Sequence, residues 1–143
     1  MRIGKSLDKN EFYRLLRRGD FAAITDIFDQ NPLAVRRLLT RLSYAPADDL
    51  HRNGILCWRE LSARRATARP DFFREVIRRH IWGMNDEGGN IDWSAPEIIG
   101  AIVAGAPELY AEFIPIMRMA AEAEPLLHPS LQAALTMLSR DQP

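Results

Sequence analysis

The amino-acid sequence predicts an all-α fold, in which about three helical hairpins stack into a superhelix. Apolar residues recur at helical spacing nearly everywhere, and no segment alternates apolar and polar residues for long enough to predict a strand. Pro32, Pro70 and Pro107 lie 38 and 37 residues apart, and each is followed by the same apolar pattern. Such an interval is typical of helical-repeat proteins, whose periods lie between about 34 and 47 residues.

Each of these prolines suits the first turn of a helix, where a missing backbone N–H costs little. Apolar residues follow at offsets of three, six and seven residues, which lie on one face of a helix. They are Val35, Leu38 and Leu39 after the first proline, Phe73, Val76 and Ile77 after the second, and Tyr110, Phe113 and Ile114 after the third. We therefore predict one buried stripe on each helix.

The remaining apolar segments supply the other helices. We predict these helices at residues 8–18, 20–30, 48–66, 94–104 and 130–140. One hairpin cannot bury its own apolar stripe, so the next hairpin must stack against it to form a continuous core. The predicted organisation is a single helical-repeat domain over residues 1–143.

Capping residues and prolines indicate where helices begin and end. Gly105 is placed to end one helix before Pro107 begins the next. Ser94 and Glu97 form a capping-box pattern, in which each side chain accepts a hydrogen bond from the other residue's backbone N–H. Pro115 lies inside the last proline-led helix, and we expect a kink or a break there.

The net charge is zero, but its distribution is uneven. Residues 1–80 carry 17 Lys/Arg and 10 Asp/Glu, a net charge of +7, whereas residues 81–143 carry 2 and 9, a net charge of −7. The opposite charges predict an acidic partner for the basic half or a homo-oligomer that pairs opposite halves, and they also fit solvated helix faces. The neutral total disfavours a dedicated nucleic-acid-binding protein.

Composition excludes several classes of protein. With 47% hydrophobic and 27% charged residues, the chain is neither collagen-like nor disordered. Cys57 is the single cysteine, so we expect no internal disulfide and no cysteine metal cluster. No stretch is long and apolar enough for a membrane-spanning helix, and residues 1–12 lack the apolar core of a secretion signal. We therefore expect a cytoplasmic location and no membrane contact.

The segment 83–93 is the candidate functional site, because it is the longest part of the sequence without helical periodicity. Trp82 and Trp93 flank it. The predicted binding residues of this region are Asn85, Asp86, Glu87, Asn90, Trp93 and Glu97. Trp93 and Glu97 share one helix face, where an aromatic ring and a carboxylate suit a cationic group. An ordinary inter-repeat turn explains the same residue types, and the acidic spacing does not match a calcium-binding loop, so no metal is predicted.

Arginines form the second group of candidate binding residues. Arg74 and Arg78 belong to the second helix of a hairpin, and second helices line the concave face of a superhelix. Together with Arg36, Arg37 and Arg79, they favour an acidic protein or peptide segment, because arginine binds carboxylates through paired hydrogen bonds.

The other chemically active side chains are predicted to be structural. His80 lies ten residues past Pro70, where Leu42 and Met117 follow the other two prolines, so we expect it in the core. Cys57 lies between two apolar residues and is expected to be buried. The sequence contains no Gly-x-Ser-x-Gly nucleophile elbow, no phosphate-binding loop and no histidines at ligand spacing. We predict no catalytic residue and no cofactor.

These features resemble those of HEAT-like repeat proteins, including the phycobilisome-lyase type. The resemblance covers roughly residues 20–140 and consists of the hairpin period, the phased prolines and the arginine-rich second helices. The segment from Trp82 to Gly100 is similar to a motif of small bacterial HEAT-like proteins, in which an Asn-Asp-Glu turn precedes a Trp-x-Ala-Pro-Glu helix start. The resemblance implies an α-α superhelix and no defined activity. The chain departs from the regular repeat at Pro115 and at residues 65–66.

The predicted function is that of a non-enzymatic protein–protein interaction or scaffold module, which uses the concave face and the segment 83–97. Two alternatives stay open. Through Trp58, Trp93 and Glu97 the chain resembles helical-repeat DNA glycosylases, which use tryptophans and a carboxylate in a groove. By family resemblance alone, it is also compatible with a lyase-like or cofactor-chaperone role.

Overall fold

The structure, a computed structural model, describes residues 7–42, 48–85 and 92–140. Over these ranges the chain is α-helical, apart from one short 3-10 helix and the connecting turns, and it contains no strand. The helices are α1 (Lys9–Arg18), α2 (Phe21–Gln30), α3 (Pro32–Leu42), α4 (Asp49–Arg65), α5 (Pro70–Met84), α6 (Ala95–Gly105), α7 (Pro107–Tyr110), α8 (Phe113–Glu122), the 3-10 helix Pro125–Leu127 and α9 (His128–Arg140). The all-α prediction is confirmed.

The helices form two compact units, Met1–Cys57 and Trp58–Pro143, so the division between the units falls within α4. In the first unit, α2 packs against both α1 and α3. In the second unit, α6 packs against α5, α8 and α9. The stacking of hairpins into one repeat domain stays a prediction.

Polar side chains and a glycine set the ends of the first helices. The Asp8 carboxylate accepts a 2.9 Å hydrogen bond from the N–H of Asn10 at the start of α1. Gly19 ends α1 with a φ of 69°, a left-handed conformation that favours glycine. The Asp20 carboxylate then accepts a bond from the N–H of Ala23, so α2 begins immediately after the turn.

The predicted apolar stripes are buried with one exception, Ile114, which is half-buried. This residue lies beside a break: the last proline-led segment forms two helices, α7 and α8, separated by Ala111 and Glu112. Pro115 has no N–H to donate to the Ala111 carbonyl, which accepts from the N–H of Ile114 instead. The predicted break is therefore present, but it precedes Pro115 because a proline disturbs the helical turn before it.

Two glycines of α6 allow neighbouring helices to approach its backbone. A Cβ on Gly100 would lie 2.9 Å from the Cβ of Ala134 in α9. A Cβ on Gly105 would lie 2.8 Å from the backbone nitrogen of Ala63 in α4. The other buried residues of α6 are apolar: Ala95, Pro96, Ile98, Ile99, Ala101, Ile102 and Val103. A helix that is apolar on nearly every side is stable only when other helices cover it, as they cover α6 here.

Candidate functional site

The structure describes the predicted site at its two ends. Three predicted binding residues lie outside the described residues: Asp86, Glu87 and Asn90. The described part consists of the end of α5 with Asn85, and of the chain from Asp92 into α6.

The two ends meet at one backbone hydrogen bond. The N–H of Asp92 donates to the carbonyl oxygen of Gly83 over 3.2 Å, and we call this contact the neck. A Cβ on Gly83 would lie 3.1 Å from the Cβ of Asp92, so glycine permits the close approach. Trp82 and Trp93 are the chain neighbours of the two bonded residues. The neck therefore brings the backbones of both tryptophans near each other.

A buried histidine and a buried carboxylate lie at the neck. His80 and Asp92 are each 5% exposed, and Nε2 of His80 lies 3.5 Å from Oδ2 of Asp92. The other ring nitrogen, Nδ1, lies 2.8 Å from the carbonyl oxygen of Val76, one turn earlier in α5. The N–H of Ser94 donates to Oδ1 of Asp92 over 3.2 Å. The prediction that His80 belongs to the core is confirmed.

The chemistry of this pair is that of a buried structural contact. Burial raises the pKa of the Asp92 carboxyl, while His80 and the N–H of Ser94 lower it in part. A histidine acts as a general base only if one ring nitrogen can reach the substrate. Because both ring nitrogens of His80 have partners within the protein, the pair positions the neck rather than a substrate.

The start of α6 is capped differently from the prediction. The Ser94 side chain makes no capping hydrogen bond, so the half of the predicted capping box in which Ser94 accepts from the N–H of Glu97 is wrong. The N–H of Glu97 donates instead to Oγ of Ser130 in α9, over 3.2 Å. The N–H of Ala95 donates to the carbonyl oxygen of Asp92 over 3.1 Å. Ser130 of α9 and the carbonyl oxygen of Asp92 thus accept hydrogen bonds from backbone N–H groups in the first turn of α6.

The three tryptophans differ in exposure. Trp82 is 80% exposed and Trp93 is 47% exposed, so both indoles beside the neck reach the surface. Trp58 is 1% exposed and packs edge-on against Phe73, with the ring centroids 6.4 Å apart. Glu97, one turn after Trp93, is half-buried. Trp93 therefore lies at the surface but outside α6, which begins at Ala95, so the prediction that it shares a helix face with Glu97 is wrong. Trp58 belongs to the core.

The outer side of α5 presents three predicted binding residues together with Trp82, which was predicted only to flank the site. The α5 row, as we call it, consists of Arg74, Arg78, Trp82 and Asn85. Their spacings of four, four and three residues place them on one side of a helix. The opposite side of α5 carries the buried residues Phe73, Val76, Ile77, His80 and Met84.

The two arginines of the α5 row have different surroundings. The guanidinium of Arg74 donates to Asp71 over 2.8 Å and lies 5.6 Å from the centre of the Tyr110 ring. Arg78 is exposed and forms no ion pair with any residue in the described ranges. Asn85 is exposed, and its side-chain amide donates to a carbonyl oxygen in the last turn of α5 over 3.4 Å. Arg78 is therefore better placed than Arg74 to bind a partner.

The remaining candidates from the sequence are Cys57 and possible metal ligands, and neither provides a site in the described residues. Cys57 is fully buried, as predicted. Among the described residues, no three His, Cys, Asp or Glu side chains are grouped so that they could hold a metal ion. Nor does any helix in the described ranges have the length and apolar character needed to cross a membrane.

The contact between His80 and Asp92 was not predicted from the sequence. The position of His80 in an apolar stripe did indicate a buried polar partner, because a buried histidine needs one. Nothing in the sequence shows which residue supplies that partner, since Asp92 reaches the ring only after the chain has left α5 and returned at the neck.

Comparisons with known proteins add no family to this description. No protein-family model, no curated protein and no solved structure gives a significant match to this chain. The resemblance to HEAT-like proteins therefore rests on the residues quoted above.

Proposed function

We propose that this chain is a non-enzymatic interaction module, built as a HEAT-like superhelix of helical hairpins, which binds a protein or peptide partner through the α5 row and the surface beside the neck. The observation that carries this proposal is the position of Arg78 and Trp82, one turn apart on the outer side of α5. Trp82 is 80% exposed, and Arg78 has no ion pair within the described ranges.

Tryptophan and arginine are the residue types that contribute most to protein interfaces. Trp82 leaves a large apolar surface in contact with water, and covering that surface with a partner is favourable. An indole has only two side-chain torsions, so ordering it on binding costs little entropy. These properties support a role for Trp82 as an anchor in an interface.

The charge of the α5 row favours an acidic partner. A guanidinium such as that of Arg78 donates two parallel hydrogen bonds to one carboxylate, and Trp82 offers an apolar surface one turn away. From Arg74 to Asn85 the row extends about 16 Å along the helix, which matches about five residues of extended peptide. The ligand that suits the row is an acidic segment with an apolar side chain next to a carboxylate.

Second helices line the concave face of a superhelix, and α5 is the second helix of the middle hairpin in this proposal. The acidic stretch 81–143, with nine acidic and two basic residues, makes a second copy of the chain one source of such a ligand. A different acidic protein is the other source. Both bind through the same row, and the mass of the complex distinguishes them.

Site-specific photo-cross-linking in the native host tests this proposal. The photoreactive residue p-benzoylphenylalanine replaces Trp82 in one variant and Met119 in another, since Met119 is 75% exposed on α8 and serves as a matched control. We expect a discrete adduct from position 82 and none from position 119. An adduct of twice the chain mass identifies a second copy. Equal adducts at both positions, or none at position 82, contradict the proposal.

The role of charge is tested in the same assay with Arg78→Ala and the control Arg118→Ala. Both arginines are exposed on helices, but Arg118 pairs with Glu122 at 3.5 Å. We expect Arg78→Ala, and not Arg118→Ala, to reduce the adduct from position 82. Added salt should also reduce it, because exposed charges are screened. An adduct that neither the substitution nor salt affects contradicts an acidic partner.

No observation favours an enzyme that acts on nucleic acid. The resemblance to DNA glycosylases rests on three residues, and one of them, Trp58, is 1% exposed and cannot stack on a base. Retention on DNA at low salt is the test of this alternative, because non-specific binding to DNA is strongest there. A lyase-like or cofactor-chaperone role has no support in the described residues.

A further inference from the structure

The contacts of His80 determine where its protons must lie. A carbonyl oxygen accepts and cannot donate, so Nδ1, which lies 2.8 Å from the Val76 carbonyl oxygen, carries a proton. Nε2 then faces Oδ2 of Asp92 across 3.5 Å, at the outer limit of a hydrogen bond, in a buried position. Without a proton between them, two acceptors face each other, which is unfavourable in the interior. One proton on either atom makes the contact attractive.

We propose that His80 and Asp92 form a proton-dependent clasp, which holds the neck closed while the pair binds this proton and loosens it when the proton is lost. Oδ1 of Asp92 accepts from the N–H of Ser94, and the backbone N–H of Asp92 donates to Gly83. Movement of the Asp92 side chain away from His80 therefore acts directly on the residue whose backbone N–H closes the neck. This inference concerns the neck itself and does not depend on the proposed partner.

Among the described residues, Asp92 is the one carboxylate within ion-pair distance of the His80 ring. The helices α6 and α8 pack against α5. Their ionisable side chains are Glu97 at the start of α6, and Arg118 and Glu122, which pair with each other on the exposed side of α8. The charged side chains of α5 itself lie away from its buried side: Asp71, Arg74, Glu75, Arg78 and Arg79. Tyr110 of α7 meets α5 at its opposite end.

The clasp weakens as the pH rises. When the neck opens, both side chains meet water, where neither a carboxyl nor an imidazole holds this proton at alkaline pH. The closed neck is stable with the proton in place, and burial raises the pKa of the Asp92 carboxyl, which favours keeping it. At alkaline pH, closing therefore takes up one proton. The closing equilibrium constant falls by about tenfold per pH unit as long as the closed pair keeps that proton.

Amide hydrogen exchange, followed by NMR on the full chain, measures this closure. The Asp92 N–H donates across the neck, so its protection, corrected for the intrinsic exchange rate at each pH, reports the closing equilibrium. Between about pH 6 and 8 we expect this protection to fall by about tenfold or more. Constant protection over that range overturns the proposal.

The variant Asp92→Asn keeps the shape of the contact but removes the carboxyl that binds the proton. Oδ1 keeps the bond from Ser94, and the amide nitrogen takes the place of Oδ2, where it donates to unprotonated Nε2 of His80. The neck of this variant should stay closed, with protection that does not change with pH. A pH dependence equal to that of the wild type overturns the proposal.

The matched control is His51→Gln. His51 is also buried, and its Nδ1 lies 3.2 Å from the Leu42 carbonyl oxygen, but it has no ion pair in the described ranges. This variant should keep the wild-type pH dependence at the neck. Loss of that dependence in His51→Gln means that another histidine controls the neck and contradicts the clasp.

Discussion

The hydroxyl of Tyr110 donates a 2.8 Å hydrogen bond to the carbonyl oxygen of Pro70, the first residue of α5. The same phenol ring lies 5.6 Å from the guanidinium of Arg74, one turn further along that helix. Tyr110 and Pro70 belong to two of the three segments that begin with a phased proline. The bond therefore joins neighbouring repeats of the predicted pattern at the start of α5.

Burial raises the pKa of Tyr110 to about 12, with Arg74 lowering it and Asp71 raising it to smaller extents. The folded chain therefore holds this proton at a pH where the unfolded chain has lost it. The stability that results is fully present below pH 10 and is lost as the pH rises from 10 to about 12. In an alkaline absorbance titration, Tyr110→Phe should remove a tyrosine that ionises near pH 12. Unchanged late ionisation in this variant contradicts the assignment.

Gly105→Ala should destabilise the second unit. The added Cβ overlaps the carbonyl oxygen of Arg59 and lies 2.8 Å from the backbone nitrogen of Ala63. These are backbone atoms of a helix, which cannot move aside as the end of a side chain can. We expect the free energy of unfolding to fall by about 1–3 kcal/mol, measured by urea denaturation and circular dichroism.

The control for this change is Gly54→Ala in the middle of α4. The nearest atom to the added Cβ is a methyl carbon of Leu42 at 3.4 Å, an ordinary contact. Alanine restricts the unfolded chain and favours a helix, so we expect stability to rise by about 0.4–1 kcal/mol. Equal effects of the two substitutions contradict the close contact of α6 with α4.

Trp82→Ala should change stability by no more than about 0.5 kcal/mol, because the indole is 80% exposed. Trp58→Ala should cost about 3–5 kcal/mol, because that indole is 1% exposed and packs on Phe73. Acrylamide quenching gives a second readout, in which Trp82→Ala removes the most readily quenched part of the fluorescence. A stability loss in Trp82→Ala as large as in Trp58→Ala contradicts this exposure.

The thiol of Cys57 should react with a disulfide reagent only when the protein opens. The residue is fully buried in α4, and thiol modification requires both access and the thiolate form. We expect slow labelling in buffer and fast labelling in denaturant, with a rate that follows the unfolding curve. Fast labelling of the native protein shows that this part of α4 is accessible.

The fold class and the helix starts were predictable because they depend on local patterns. A proline in the first turn and apolar residues at fixed offsets act within one helix, and α3, α5 and α7 begin at their prolines. The same period placed His80 in the core, where it lies. At Pro115 the local pattern predicted the break but not that it would fall at Ala111 and Glu112, before the proline.

The contacts that build the candidate site were not predictable, because they join residues that only packing brings together. The N–H of Glu97 donates to Ser130, 33 residues away, and not to the nearby Ser94 side chain. Arg74 was predicted to face a partner, but it lies against Asp71 and Tyr110. A residue type indicates what a side chain can bind, whereas its neighbours in the fold determine what it does bind.

The hydrogen bond between Gly83 and Asp92 makes the intervening stretch a suitable position for protein engineering. Asp92 bonds to the end of α5 just before the chain enters α6, so this bond joins the two helix ends directly. Doubling the length of a loop whose ends are already joined costs only about 0.6 kcal/mol. An epitope or a recognition peptide inserted between Asn85 and Asp92 should therefore leave α5 and α6 in place, because the bond from Asp92 to Gly83 does not involve the insert.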